Sequence, residues 1–231
     1  MLGGIMIIGF VGFIGSGKDT AADYLVNFHG FRRDSFASTL KDAVACVFGW
    51  DRTLIEGRTK ESREWREQVD EWWSQRLNKP ITPRYILQHW GTEVCRNGFH
   101  NDIWIASLEN KIRKTNDNVV ITDVRFPNEI KAIKKAGGKV FRICRGPDPS
   151  WYEQAIAYNQ GPTNMRWSLS KMHLDKEQVH ASEYSWVGNS NIDAEIDNNG
   201  SIDDLYAQLK NQVEDHPVAT ERPLYVGLSD S

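Results

Sequence analysis

The chain has 231 residues, 40% of them hydrophobic and 26% charged, with a net charge of −3 and a pI of about 6.1. That length fits one sizeable α/β domain with room for an insertion rather than two full domains. The near-balanced charge excludes a general electrostatic attraction to polymeric nucleic acid. The three scattered cysteines, Cys46, Cys95 and Cys144, exclude a CxxC zinc site or a disulfide frame and predict reduced thiols in the cytoplasm.

The first residues, MLGGIMIIGFVGF, are apolar but lack a basic leader and are too short and interrupted to span a membrane. They predict a buried strand over Ile5–Val11, as a continuous apolar run before glycines does. Asp19–Phe28 has Ala21, Ala22, Tyr24, Leu25 and Phe28 at helical spacing. A second strand is expected over Phe31–Phe36, then a helix over Ser38–Phe48 with Leu40, Val44 and Val47 on its apolar side. The charged stretch Arg52–Leu77, containing Trp65, Trp72 and Trp73, predicts one or two exposed helices ended by NKPITP. Trp72 and Trp73 are expected in packing or dimer contacts.

Helices are expected over Arg84–Arg96 and Asp102–Lys114, and a strand over Val119–Thr122 that ends on Asp123. Pro127 stands where a helix starts, Asn128–Ala136 supplies that helix, and KVFRIC is the next strand. Between Pro147 and His180 no period is sustained, which predicts an insertion or lid. Ile192–Ile196 is a last strand, and Ser201 caps a helix running to about Val213. Strands alternating with helices predict a parallel sheet with helices on both faces, whose ligands gather at the carboxyl ends of the strands. The expected organisation is a single domain over residues 1–215, with a helical region at about 50–115, a lid or insertion at about 147–180, and a tail or arm at 216–231.

The stretch VGFIGSGKDT carries the chemistry. Gly12, Gly17 and Lys18 form GxxxxGK, with Gly15 and Ser16 inside the loop. Glycines let successive amides face inward as an anion nest, the following helix adds its positive end, and Lys18 reaches outer phosphates. The residue after the lysine commonly gives a hydroxyl to Mg²⁺, but here it is Asp19. A bare carboxylate repels a triphosphate, and a divalent cation between them reverses the sign. Three readings stay open for Asp19: it meets the Mg²⁺ of MgATP directly or through water, it faces the acceptor or a nearby arginine, or it is a first-turn carboxylate favoured by the helix dipole. Thr20 caps the helix and touches an inner phosphate.

GSGKDT resembles the nucleoside monophosphate kinase form of the phosphate loop. Together with ITDVRFPNE and LQHWGTEVCRNGFHNDIW it resembles the deoxynucleoside monophosphate kinases of tailed bacteriophages. The likeness runs from the first strand to about Leu209. It implies a P-loop NTPase-type α/β fold with a helical acceptor-binding region and a lid. It also implies transfer of the γ-phosphoryl of ATP to a deoxynucleoside monophosphate, Mg²⁺ as MgATP, and a protein that is often a dimer.

Within that reading Asp123 holds Mg²⁺ through water, and Arg125 and Arg145 neutralise the transferring group from neighbouring strand ends, unless Arg145 is a rim arginine with no ligand, whereas Arg142 points elsewhere. Asp123 and Arg125 are also residue types that pair merely to fix a loop. Arg84 and Gln88 share a helix face at i, i+4. With Glu93, Arg96, Asp102 and Trp104 they form either a charged helix surface or the acceptor-side set, in which Gln88 offers a donor and an acceptor to a base, Arg96 a phosphate contact and Trp104 either a stacking face or core packing. Glu129 is expected as a favourable first-turn charge. His180, Ser182 and Glu183 include the residue types of a hydrolase triad, but no GxSxG elbow accompanies them, and lid anchoring or acceptor contact is expected instead. Asn198 and Asn199 are expected in a turn that borders the adenine. Two other functions remain open. One is a P-loop kinase for a different small acceptor, such as dephospho-coenzyme A or a phosphorylated metabolite. The other is a nucleotide-dependent switch or nucleic-acid ATPase, against which stand the short chain and the lack of a basic run.

Overall fold

The computed structural model describes residues 5–162 and 165–214, so the expected tail at 216–231 lies outside the described residues. The chain divides into two compact units, Met1–Ser35 with Lys114–Ser231, and Phe36–Arg113.

The first unit is built on a five-stranded, all-parallel sheet: β1 (Ile7–Val11), β2 (Phe31–Asp34), β3 (Asn118–Ile121), β4 (Lys139–Cys144) and β5 (Ala194–Asp197), in the order β2-β3-β1-β4-β5. Every residue of the central β1 is buried, which is why its sequence is continuously apolar rather than alternating. The pleat splits it all the same. Ile8 and Phe10 enter a core with Ala21, Ala22 and Leu25 of α1 (Lys18–His29), Phe141 and Ile143 of β4, and Leu205 and Leu209 of α12 (Ile202–Glu214). On the other face Gly9 leaves room for α8 (Pro127–Lys135): a Cβ there would lie 2.6 Å from Ile133 Cδ1. The α/β fold with helices on both faces is therefore present. From β1 the chain goes to one side of the sheet, and from β3 it crosses to the other. The strand order thus reverses at β1, beside the loop of residues 12–17.

The second unit is helical. In chain order it contains α2 (Ser38–Phe48), α3 (Arg52–Glu56), α4 (Lys60–Glu67), α5 (Glu71–Leu77), α6 (Pro83–His89) and α7 (Ile103–Ile112), with Trp90–Asn97 continuing α6 in the wider π winding. The charged stretch after Arg52 is three short helices, not one or two. Each starts on its own cap: Asp51 accepts from Thr53 N at 2.7 Å, Thr59 from Ser62 N at 3.0 Å and Asp70 from Trp73 N at 2.9 Å. An aromatic cluster of Phe48, Trp50, Trp65, Trp73 and Trp90 holds them, and the Trp50 and Trp73 N–H groups donate to Asp70 Oδ2 and Phe48 O. On α2 the buried side is Leu40, Val44 and Phe48. Val47 is exposed, because the i, i+4, i+8 row and not i+7 faces inward.

Residues 147–180, expected to lack a pattern, contain two helices, α9 (Tyr152–Asn159) and α10 (Met165–Lys176), followed by the single turn α11 (Ala181–Tyr184). Their buried positions are small or polar, Ala155, Ala157 and Ser170 beside Leu174, while Met165, Leu169 and Met172 face out. This explains the weak apolar period. Asn159 Nδ2 ties α9 to the Tyr184 and Val187 carbonyls at 2.7 and 2.9 Å. No helix among the described residues is long and apolar enough to cross a membrane.

Candidate active site

The loop between β1 and α1 is the focus of the first unit. Gly15 and Gly17 have φ of 81° and 100°, in the left-handed region. At Gly17 a Cβ would also run into Asn198 Nδ2, which donates to Ser16 O at 2.8 Å. Asn198 N reaches Cys144 O at 2.8 Å, and Asn199 Oδ1 accepts from Gly146 N at 2.7 Å. The two asparagines after β5 therefore clamp the loop to the end of β4. Lys18 arches back, donating to Gly12 O at 2.7 Å and Phe13 O at 2.8 Å. Burial, and secondarily the Arg125 guanidinium, push its pKa down to about 8, with Glu183 opposing. Ser16 Oγ is buried and has no hydrogen-bond partner among the described residues, an orphaned polar atom on the loop itself.

Asp19, exposed at the start of α1, is ion-paired with Arg33 of β2. Arg33 also reaches Asp23 Oδ1 at 3.0 Å and Thr122 Oγ1 at 3.3 Å, which stitches the first two turns of α1 to the end of β3. Asp123 is half-buried. β1 and β3 pair through Gly9↔Ile121, so Asp123 follows two residues past that pair, at the level where β1 gives way to the loop.

Arg125 Nη1 donates to Glu183 Oε1 at 3.0 Å and Ser182 Oγ at 3.3 Å. His180 Nδ1 accepts from Ser182 N at 3.2 Å and so caps α11. Glu183 serves Arg125 rather than the imidazole, so the three residues are not arranged as a hydrolase relay. Glu129 is 2% exposed and accepts from the Arg125 and Phe126 amides at 2.8 and 3.1 Å. It does more than sit in the first turn, since it shapes the loop that carries Arg125. Arg145 is exposed and forms no ion pair among the described residues.

Arg142 points away from solvent into an aromatic cage, with its guanidinium carbon 4.8, 5.6 and 5.9 Å from the Tyr152, Trp186 and Phe13 rings. It bonds Tyr152 Oη at 2.8 Å and Glu195 Oε1 at 2.6 Å, and pairs with Asp148. Because Phe13 belongs to the loop, this cage braces the loop from behind.

In the helical unit Arg84 and Gln88 are exposed on α6, and Arg84 Nε lies 3.3 Å from Glu67 Oε1. Glu93 and the half-buried Arg96 lie on the π-wound segment, where Glu93 accepts from Asn97 Nδ2 at 3.0 Å. Asp102 N is hydrogen-bonded to His100 Nδ1 at 3.1 Å. Of the two readings for Trp104, its environment fits core packing: it is 8% exposed and its N–H donates to Gly91 O at 2.9 Å, so the ring packs the unit's interior.

The identity of Arg33 as the arginine beside Asp19, the partners of Arg142 and the loop-shaping role of Glu129 are new to the structure. A charge inside KVFRIC signals buried partners, and Glu129 stands three residues after Phe126, at the capping-box position. No local spacing places residue 33 beside residue 19.

A glycine loop leading from the central strand of a parallel sheet into a helix, with its lysine folded over it, defines a P-loop nucleotide-binding protein of the α/β class. The deoxynucleotide monophosphate kinase family matches residues 56–157. A relative from Acanthamoeba polyphaga mimivirus, provisionally named a deoxynucleotide monophosphate kinase, is 31% identical over 219 residues, covering 89% of this chain and 94% of that protein. The deoxynucleoside-5′-monophosphate kinase of Escherichia phage T5 is 29% identical, covering 56% of this chain and 72% of that one. Among solved structures, a shikimate kinase from Acinetobacter baumannii has a TM-score of 0.42 at 14% identity, over 91% of this chain and 94% of its own. The chain belongs to the deoxynucleotide monophosphate kinase family, and it is a nucleotide kinase.

Proposed function

We propose that the protein transfers the γ-phosphoryl group of ATP to a deoxynucleoside 5′-monophosphate, giving the diphosphate and ADP. The observation that carries this reading is Lys18, a half-desolvated ammonium drawn over an amide-lined loop. Phosphoryl transfer asks little covalent help. It needs two phosphates in line and the moving charge neutralised. Gly12, Gly15, Ser16, Gly17, Lys18 and Thr20 hold the ATP phosphates, and the orphaned Ser16 Oγ can turn its hydroxyl to one of them. Arg125 and Arg145, after β3 and β4, meet the transferring group. Arg84, Gln88, Glu93 and Arg96 bind the acceptor. The site acts in the cytoplasm. A homodimer belongs to the same reading, and the mass in solution decides it.

Magnesium fits the donor set. Among the described residues no cluster of three or more His, Cys, Asp or Glu could hold a metal ion. Mg²⁺ usually takes one or two carboxylates plus phosphate and water oxygens, and Asp19 and Asp123 can supply the carboxylates. When bound it would neutralise charge between the phosphates. Asp19 would have to give up Arg33 to reach it directly. Asp19→Ala is expected to raise the Mg²⁺ concentration needed for half-maximal turnover. An unchanged Mg²⁺ dependence assigns Asp19 to Arg33 alone.

The reaction is tested by ADP release with MgATP against dAMP, dGMP, dCMP, dTMP, 5-hydroxymethyl-dCMP and the ribonucleotides. Turnover that depends on a deoxynucleotide is expected. If no nucleotide raises ADP release above the background rate, the reading fails, and a different small acceptor takes its place.

A further inference from the structure

Arg125 is fixed at both ends. Glu129 Oε2 accepts from its backbone amide at 2.8 Å, and the turn α11 takes its tip: Nη1 donates to Glu183 Oε1 at 3.0 Å and to Ser182 Oγ at 3.3 Å. Both tip contacts fall on the same nitrogen. Nε and Nη2, which share the side edge of the planar fork, meet no acceptor among the described residues.

The holder is itself braced. Tyr184, Trp186 and Val187, just after Glu183, are buried, and Asn159 Nδ2 of α9 ties the Tyr184 and Val187 carbonyls at 2.7 and 2.9 Å. Trp186 also packs against Phe13, with ring centroids 5.0 Å apart, so the segment that carries Glu183 is registered against the loop of residues 12–17. His180 Nδ1 lies 2.8 Å from Ser182 Oγ and accepts from Ser182 N. With Nδ1 taking the hydroxyl proton as well, the Ser182 oxygen presents its lone pairs to Arg125.

Stability does not account for this arrangement. With side chains 45% and 28% exposed, an ion pair such as Arg125–Glu183 adds little to folding. Its electrostatics run against the site. Both groups act on Lys18: after burial, Arg125 lowers its pKa, and Glu183 raises it. A carboxylate so placed opposes the binding of a polyanion to the loop. What it supplies is direction. A guanidinium held by one nitrogen keeps its free edge aimed one way, ready to grip phosphate oxygens bidentately. We propose that Glu183 and Ser182 are positioning residues for Arg125, holding its guanidinium by Nη1 and leaving Nε and Nη2 for the terminal phosphate of a nucleotide in the loop. That this phosphate is the one transferred rests on the kinase reading above.

The test separates direction from stability. With MgATP and the deoxynucleotide turned over fastest, Glu183→Gln is expected to lower kcat by about 5–20-fold while ATP binds about 3–10-fold more tightly, because placement is lost and a repelling charge is removed. Tm should stay within about 2 °C of wild type. In an Arg125→Met background the same substitution is expected to change kcat by less than about twofold, since its effect passes through the guanidinium. In an active wild type, a Glu183→Gln kcat within about twofold of normal, weaker ATP binding, or an equal loss of kcat with and without Arg125 overturns the proposal and leaves the kinase reading intact. Ser182→Ala serves as a second variant should Glu183→Gln fold poorly. It takes one contact from Arg125 without removing a charge, so kcat should fall about 2–5-fold at unchanged ATP affinity, and an unchanged kcat overturns the proposal. Tripolyphosphate, titrated calorimetrically in place of ATP, gives a readout without turnover. If the wild type turns over no nucleotide, the kinase reading falls. Tighter tripolyphosphate binding by Glu183→Gln then leaves the placement of Arg125 standing, and unchanged or weaker binding brings it down as well.

Discussion

Replacing Lys18 by methionine is expected to lower kcat by about 10²–10³-fold, the usual cost of deleting one preorganised donor aimed at developing charge. At pH 7 it should leave the ligand-free protein as stable as wild type or more so. Both effects come from the same placement. The amine is drawn into the loop, where burial lowers its pKa from 10.5 to about 8. The folded-state value lies below the unfolded one, so between pH 8 and 10.5 the unfolded chain binds more protons than the folded one. This group's contribution is therefore most unfavourable below pH 8, and it is relieved as pH rises through that window. The gap corresponds to at most about 3 kcal/mol, against which the variant forfeits two hydrogen bonds to the loop carbonyls. The Tm difference between Lys18→Met and wild type should therefore shift in favour of wild type from pH 7 to pH 10. A difference that does not vary with pH would mean the amine is not desolvated. Bound phosphate supplies the missing countercharge, so ATP binding above about pH 8 should take up a proton. Calorimetry in two buffers of different ionisation enthalpy measures that uptake directly.

The elements that position this lysine were readable from the chain because each depends on its immediate neighbours. A run buried on both faces, glycines that free the backbone, and a helix with apolar residues at regular spacing define β1, the loop and α1. Ser201 reads as a cap because its partner Asp204 is three residues away, and the pair does close, with Asp204 N 3.2 Å from Ser201 Oγ. Arg52–Leu77 was harder. Its charged surface reads as one or two helices, and its three starts are set by Asp51, Thr59 and Asp70, each accepting from a first-turn amide that has no partner within its helix. The α9–α10 pair was obscured because alanine and serine do its burying. The braces of the site were least legible. Arg142 takes its partners from positions 148, 152 and 195, and Arg33 from 19, 23 and 122, so only the assembled sheet reveals them. Trp104 and Val47 show the converse limit. Residue type alone does not say which side of a short helix faces inward.

Glu129→Ala should be the most destabilising single change at the site that removes no substrate contact. The carboxylate is buried at the start of α8, where the helix dipole favours negative charge, and it accepts from two successive amides, Arg125 N and Phe126 N. Pro127 follows immediately and has no N–H to share in rearranging the turn. Truncation to alanine leaves both amides facing a small buried gap. At about 1–3 kcal/mol for each unsatisfied buried group, and with partial relaxation, the loss should be about 2–4 kcal/mol. For a chain of this length that corresponds to roughly 5–15 °C in Tm. Glu129→Gln keeps an acceptor oxygen in nearly the same place and should recover about half of the loss. Activity follows for a separate reason. One of the two amides belongs to Arg125, whose side chain is held toward Ser182 and Glu183, so slack in this turn moves the guanidinium. At temperatures where Glu129→Ala is still fully folded, kcat should fall while the KM for ATP changes little, because the loop of residues 12–17 keeps its own clamp through Asn198. A Tm within about 1 °C of wild type would mean that the two amides find other partners and that the carboxylate is not what holds Arg125 in place.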